Sequence, residues 1–165
     1  MQDDVAKALA TLTTGVYVLT VRDGDRGHGM SSSWVTQVSG EPPLVMAAVD
    51  KRHRSHALME TSGAFALNVV GVGGREIEDY FYSERARRPD NLAPFECDIG
   101  STGAPLLRQA LASLECRAVQ SHAAGDHTLF VAEIVAVRLR TEDRPLTSLD
   151  LPYVYVGTVV RRDRG

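Results

Sequence analysis

Seven short apolar runs, each fenced by glycine, proline or acidic turn residues, set the strongest limit on how this chain can fold. VYVLTVR (16–22) is apolar at both alternating positions, the pattern of a strand covered on both faces. After the turn-forming DGDRGHG (23–29), MSSSWVTQVS (30–39) returns as its partner strand. GEPP (40–43) breaks the ladder before LVMAAVD (44–50), because proline cannot donate to it. AFALNVV (64–70), ALASLECRAVQSH (110–122), HTLFVAEIVAVRLR (127–140) and YVYVGTVV (153–160) supply the other strands. Helical signals are short. Asp3 or Asp4 can cap a helix carrying Val5, Ala8, Leu9 and Leu12 on one face and ending by Gly15. HALMETSG (56–63) is stopped by its glycine, and GREIEDYFYSER (74–85) is amphipathic. Residues 86–105 are irregular and hold three prolines, a length that compact domains keep for function or leave disordered. Six or seven strands with a few short helices predict a mainly β, closed or nearly closed barrel forming one domain over residues 1–165.

Bulk properties narrow the partners. A net charge of -3 argues against general affinity for nucleic acid or an anionic membrane. No apolar run approaches the roughly 18 residues of a membrane span. The opening MQDDVAKALATL is acidic and lacks a basic-then-apolar export pattern. Two cysteines, Cys97 and Cys116, are too few for a disulfide framework and match no zinc spacing. These features predict a reduced, cytoplasmic protein.

The candidate chemistry starts from an oddity in the second run. Three consecutive serines, Ser31 to Ser33, sit where a sheet prefers branched or aromatic side chains, and they lead into Trp34, the only tryptophan. One reading is a strand end whose hydroxyls bond to their own backbone. The other is an anion or heterocycle site, where small side chains let backbone amides approach a ligand. DKRHRS (50–55) favours the second, because it gathers Lys51, Arg52 and Arg54 with the Ser55 hydroxyl at the mouth of a helix, a good seat for phosphate. Metal binding is not expected. His53 and His56 lie three apart and His122 and His127 five apart, and neither pair has the companions of a closed zinc site. RARRPD (85–90) reads as a solvated helix end rather than a nucleic-acid patch.

These residues resemble a known family. GVYVLTVRDGDRGHGMSSSWVTQVSGEPPLVMAAVDKRHRSHALMETSGAFALNVV is similar to the N-terminal half of the flavin reductase-like FMN-binding split-barrel proteins. GAPLLRQALASLECRAVQSHAAGDHTLFVAEIVAV (103–137) is similar to their second half. The tryptophan form SSSWVTQVS lies nearest the flavoredoxin-like branch. The resemblance implies a six-stranded Greek-key split β-barrel with short flanking helices, a homodimer, and one flavin near the subunit interface. It places the flavin ring along Met30, Ser31, Ser32, Ser33, Trp34, Val35 and Thr36. The phosphate arm runs along Val49, Asp50, Lys51, Arg52, Arg54 and Ser55. On this reading the serines are small and polar because a flavin lies over them, and Trp34 either shields the ring or fills the core. The histidine of GDHTLF (125–130), His127, matches one that lies beside the nicotinamide site in related reductases, where its role would be positioning. Two departures stand out: residues 83–102 align loosely, and Thr158 follows Gly157 where such reductases commonly have an aromatic residue.

The function implied is that of an FMN-dependent oxidoreductase of the NAD(P)H:flavin reductase type, with FAD as the alternative cofactor. Reduced flavin would either leave to serve a partner monooxygenase or stay and pass electrons on. No GxGxxG fingerprint is present, so nicotinamide recognition would come from loops. The rivals are a flavoredoxin-like FMN electron carrier with little NAD(P)H turnover and a non-catalytic barrel binding flavin or haem.

Overall fold

The computed structural model describes residues 2–83, 87, 91–140 and 142–162. Strands form where the apolar runs lie. β1 (Tyr17–Asp23) and β2 (Arg26–Ser32) pair as a hairpin about Gly24 and Asp25, with Gly24 at a φ of 59° that only glycine adopts freely. β1 is buried from Val18 through Val21, as a strand covered on both faces should be. Leu19 and Val21 point into one core with Phe65, Leu67 and Phe130, while Val18 joins a second with Ile77, Phe81 and Leu107. Complete burial of side chains such as Phe65 and Leu67 contributes roughly 1.5–3 kcal/mol each.

β3 (Val35–Gly40), β4 (Pro43–Asp50), β5 (Ala64–Val69), β8 (Ala112–Ala124) and β9 (His127–Leu139) complete an antiparallel sheet ordered β2-β1-β5-β8-β9-β4-β3. Its terminal strands, β2 and β3, are consecutive in the chain and separated only by Ser33 and Trp34. Three Cα steps reach at most ~11 Å. Seven strands laid flat would hold their edges ~28 Å apart. The sheet must therefore curl until its edges meet, and Ser33–Trp34 is the joint that closes it. The single strand expected over 30–39 is in fact broken here: its front half pairs with β1 and its back half with β4. A barrel closed by one strand requires that strand to change partners. Counted as one bent strand, β2 and β3 make the barrel six-stranded.

Other boundaries also moved. YVYVGTVV does not join the barrel; it turns at Gly157 (φ 92°) into a separate hairpin, β10 (Tyr153–Tyr155) with β11 (Val159–Arg161). In the loop region, β6 (Cys97–Ile99) and β7 (Pro105–Leu107) form a small hairpin, while RARRPD lies outside the described residues apart from Arg87. α1 (Asp3–Leu9) starts from Gln2 without a side-chain cap, and its Asp3 and Asp4 occupy the first turn, where carboxylates suit the helix dipole. Val5, Leu9 and Leu12 are exposed, and Ala6 is what α1 buries, against Val154 and Val156. α2 (Arg54–Ser62) begins two residues earlier than expected because the His53 ring accepts from the Ser55 N–H. α3 (Arg75–Tyr82) turns Ile77, Glu78 and Phe81 inward.

Two contacts lock α3 and the β6–β7 hairpin to the barrel. A Cβ at Gly29 would meet the Phe81 ring at 2.7 Å, which explains a glycine within β2. Asn68, fully buried on β5, donates to Val18 O (3.1 Å) and Thr20 Oγ1 (3.0 Å) and accepts from Leu107 N (2.9 Å) and Ser113 Oγ (2.8 Å).

Candidate functional site

Closing the barrel with two residues leaves a gap in the ladder, and a cleft of ≈ 270 Å³ opens at that joint. Met30, Ser31, Ser32, Ser33 and Trp34 line it together with Asp50 and His53, so the serine run and the end of β4 do meet. α3 contributes Glu78, Phe81 and Tyr82, and the C-terminal hairpin contributes Tyr153 and Tyr155. His127 enters from the start of β9.

Aromatic rings dominate the walls. Trp34 lies 4.6 Å from the His127 ring and 5.7 Å from Tyr155, while Tyr82 stacks on Tyr153 at 4.2 Å with 17° between planes. Trp34 is therefore a cleft residue and stands outside the barrel core. His127 is buried and its Nδ1 lies 2.7 Å from Asp126 Oδ1. A carboxylate can only accept, so Nδ1 donates to Asp126, and this hydrogen bond holds the Asp126 carboxyl below its ordinary range. That fixes the ring plane and leaves Nε2 as the second functional atom.

Glu78 is the unexpected member. It is 3 % exposed, and its oxygens accept from Ser31 Oγ (2.7 Å) and Tyr153 OH (3.3 Å). Burial pushes its carboxyl up, against the pull of those two hydrogen bonds. Desolvation, reinforced by Glu78, also raises the Tyr153 hydroxyl, so it stays a donor. Thr14 and Ser148 line the cleft as well, and Thr14 Oγ1 is buried with no hydrogen-bond partner among the described residues.

The basic loop is arranged differently from the sequence expectation. Lys51 Nζ donates to Gly125 O at 2.7 Å. Arg52 folds back onto Asp50, with Nε at 3.1 Å and an η-nitrogen at 2.7 Å, and holds the Asp50 carboxyl well below its usual range. Arg54 pairs with Asp23 across the barrel rim. The three cations thus each meet a different oxygen and do not converge, and none of them lines the cleft. Val49 is buried in the barrel core, and Val35 and Thr36 continue into β3 away from the lining. Ser55 is fully buried at the start of α2, and its Oγ has no hydrogen-bond partner among the described residues.

Sequence reasoning missed Glu78, Tyr82, Tyr153 and Tyr155. A signal existed for Glu78: it sits beside Ile77 and three residues before Phe81, a carboxylate on the apolar face of its helix. Tyr153 and Tyr155 alternate with Val154 in YVYV, which places both tyrosines on one face of a strand. Among the described residues no group of three or more His, Cys, Asp or Glu could hold a metal ion, and no helix is long and apolar enough to cross a membrane. Cys116 is buried, which pushes its thiol up to about 12 and leaves it inert.

A six-stranded antiparallel barrel with a cleft at its closing joint defines a class that comparison makes specific. Residues 9–162 match the flavin reductase like domain, and the chain belongs to that family. The NADH-dependent flavin reductase of Rhodococcus sp is 33% identical over 131 residues, covering 78% of this chain and 72% of that protein. Diflavin flavoprotein A 1 of Synechocystis sp. is 29% identical over 140 residues, which is 84% of this chain but 24% of that protein. The chain thus spans about a quarter of the length of that relative. Among solved structures, the NADH:FAD oxidoreductase of Streptomyces globisporus superposes with a TM-score of 0.78 at 28% identity, covering 88% of this chain and 82% of that one. The same oxidoreductase has also been solved in complex with NAD and FAD fragments.

Proposed function

We propose that this protein is an NAD(P)H-dependent flavin reductase that holds FMN, or alternatively FAD, in the cleft at the barrel joint. The observation that carries this reading is the aromatic-walled cleft floored by Ser31, Ser32 and Ser33, with His127 anchored beside Trp34. Its residues fit a flavin. Small serines admit a planar ring close to the backbone, Trp34 and Tyr155 offer stacking faces, and the Thr14 hydroxyl has no partner among the described residues. Bound there, the flavin supplies the hydride acceptor. The chain supplies alignment and exclusion of water: Ser31 is held by Glu78, and His127 is held by Asp126 and positions the nicotinamide. A phosphate on the flavin would reach towards the mouth of α2, where Ser55 Oγ has no partner among the described residues and Arg52 can exchange its exposed pairing with Asp50. A homodimer, and a partner monooxygenase or other acceptor for the reduced flavin, complete the proposal.

The test is direct. Purified protein loaded with FMN is titrated anaerobically with NADH and then NADPH while the flavin absorption is followed. Bleaching supports the reductase, and ultrafiltration shows whether the flavin leaves. The second reading, an electron carrier with little NAD(P)H turnover, draws on Trp34. Its ring lies 4.6 Å from His127, so the indole competes with a nicotinamide for the space beside that histidine. A flavin that stays oxidised under NAD(P)H but accepts electrons from dithionite would select the carrier.

A further inference from the structure

Glu78 places a carboxylate inside the cleft, in a position that binding a neutral aromatic ring does not require. Ile77 and Phe81 beside it on α3 are packed in the core, and Glu78 itself is 3 % exposed. Both its oxygens are occupied by neutral hydroxyls, Ser31 from β2 and Tyr153 from β10. Among the described residues no Lys, Arg or His pairs with it. Among the described residues, the titratable groups acting on it are Asp79 and Tyr82 on its own helix and Tyr153 on the hairpin, none of them cationic, while His53 and His127 line the same cleft without pairing with it. Asp79 pairs outward with Arg75, at 4.0 Å. A buried carboxylate without a cation is expensive, and two hydroxyl donors offset only part of the cost. Desolvation does raise the carboxyl, as such a position requires. The group also stands one hydrogen bond from Ser31, on the serine run that floors the cleft.

We propose that Glu78 is a charge filter: the cleft admits a planar heterocycle while it is neutral and holds the same ring more weakly once it has become an anion. The inference rests on reading the cleft as a flavin site. Hydride from NAD(P)H carries two electrons to the ring and releases NAD(P)⁺, so the ring gains one negative charge until a proton from solvent follows. With the Glu78 carboxylate on the wall, that charge meets a like charge in a partly dehydrated space. At an effective dielectric constant near 20, repulsion between two like charges sharing such a cleft weakens binding by about tenfold or more. Glu78 thus favours departure of the reduced flavin, the behaviour of a protein that hands flavin on.

The experiment uses riboflavin, which has no phosphate and so keeps the basic loop out of the comparison. Its oxidised form and its dithionite-reduced form are bound to wild-type protein and to Glu78→Gln by anaerobic equilibrium ultrafiltration, at about pH 8.5, well above the ordinary carboxylate range. Wild type should hold the oxidised form at least about tenfold more tightly than the reduced form. In Glu78→Gln that ratio should fall towards one, chiefly through tighter binding of the reduced form. Glu78→Met, similar in volume and adaptable in shape, is the second variant if the amide impairs folding. Tight oxidised binding with the same ratio in wild type and variant would sink the filter and leave the flavin site standing. If wild type bound neither form, the filter and the flavin site would both fall.

Discussion

Desolvation lifts the Glu78 carboxyl above its ordinary 4.5, outweighing the downward pull of its bonds from Ser31 and Tyr153. The folded chain therefore binds this proton more tightly than the unfolded chain does. The stability this contributes is complete below about 4.5 and is lost as pH rises through the raised folded value. Glutamine has no proton to lose. Calorimetry of wild type and Glu78→Gln should show the wild type losing ground to the variant as pH rises from about 4 to about 8. Parallel profiles would mean that the burial is not felt. At His127, alanine should raise KM for NAD(P)H or slow flavin bleaching in stopped flow while leaving flavin affinity nearly unchanged, with turnover remaining. Loss of flavin instead would put the histidine on the other side of the site. Replacing Arg52 and Arg54 together with alanine should weaken FMN by roughly tenfold and riboflavin hardly at all, since only FMN has a phosphate. Equal losses in a fluorescence titration would remove the loop from the phosphate's path.

Among the elements, Asn68 carries a concentrated set of buried hydrogen bonds. Its amide joins β1, β5, β7 and β8, and without it Leu107 N and the Ser113 hydroxyl lose an acceptor in a buried space. Each such orphan costs about 1–3 kcal/mol, so Asn68→Ala should lose at least about 2 kcal/mol in urea unfolding with little change in slope. A near-neutral result would mean that water reaches the site. The elements also show where the sequence was readable. β1, β4 and β5 announce themselves as apolar runs, because core-facing side chains must be apolar wherever the strand lies in the order. The break at Ser33–Trp34 has no such local signal: it follows from closure of the whole sheet, and MSSSWVTQVS alternates no differently on either side of it. YVYVGTVV reads like a barrel strand, yet the barrel was already complete, so it folded on itself about Gly157. The serine run stood out in the sequence because small polar residues are unusual within a strand, and in the fold it lines the cleft. Glu78 and the tyrosines became visible only when α3 and the C-terminal hairpin were brought against it.

Across the molecule, the exposed apolar residues are where the proposed homodimer would be tested. Val135, Val137 and Leu139 occupy alternate positions on β9, one face of the strand, and are exposed by 42%, 57% and 80%. They form a stripe that a second copy of the chain can cover, and a symmetric dimer is the commonest way to do so. Light scattering at micromolar concentration should give twice the chain mass, and Val137→Arg with Leu139→Arg should shift it towards one. A wild-type monomer that still binds flavin tightly would defeat the dimer. The joint between β2 and β3 has its own consequence at this scale. The floor of the cleft exists only when the two ends of the sheet have come together, so an occupant recognises the native chain and has nothing to grip in the unfolded one. Occupancy and unfolding are then thermodynamically coupled. At a hundredfold excess over its dissociation constant a ligand adds about 2.7 kcal/mol to the native state, and the melting midpoint climbs with ligand concentration even though no bond of the sheet has changed.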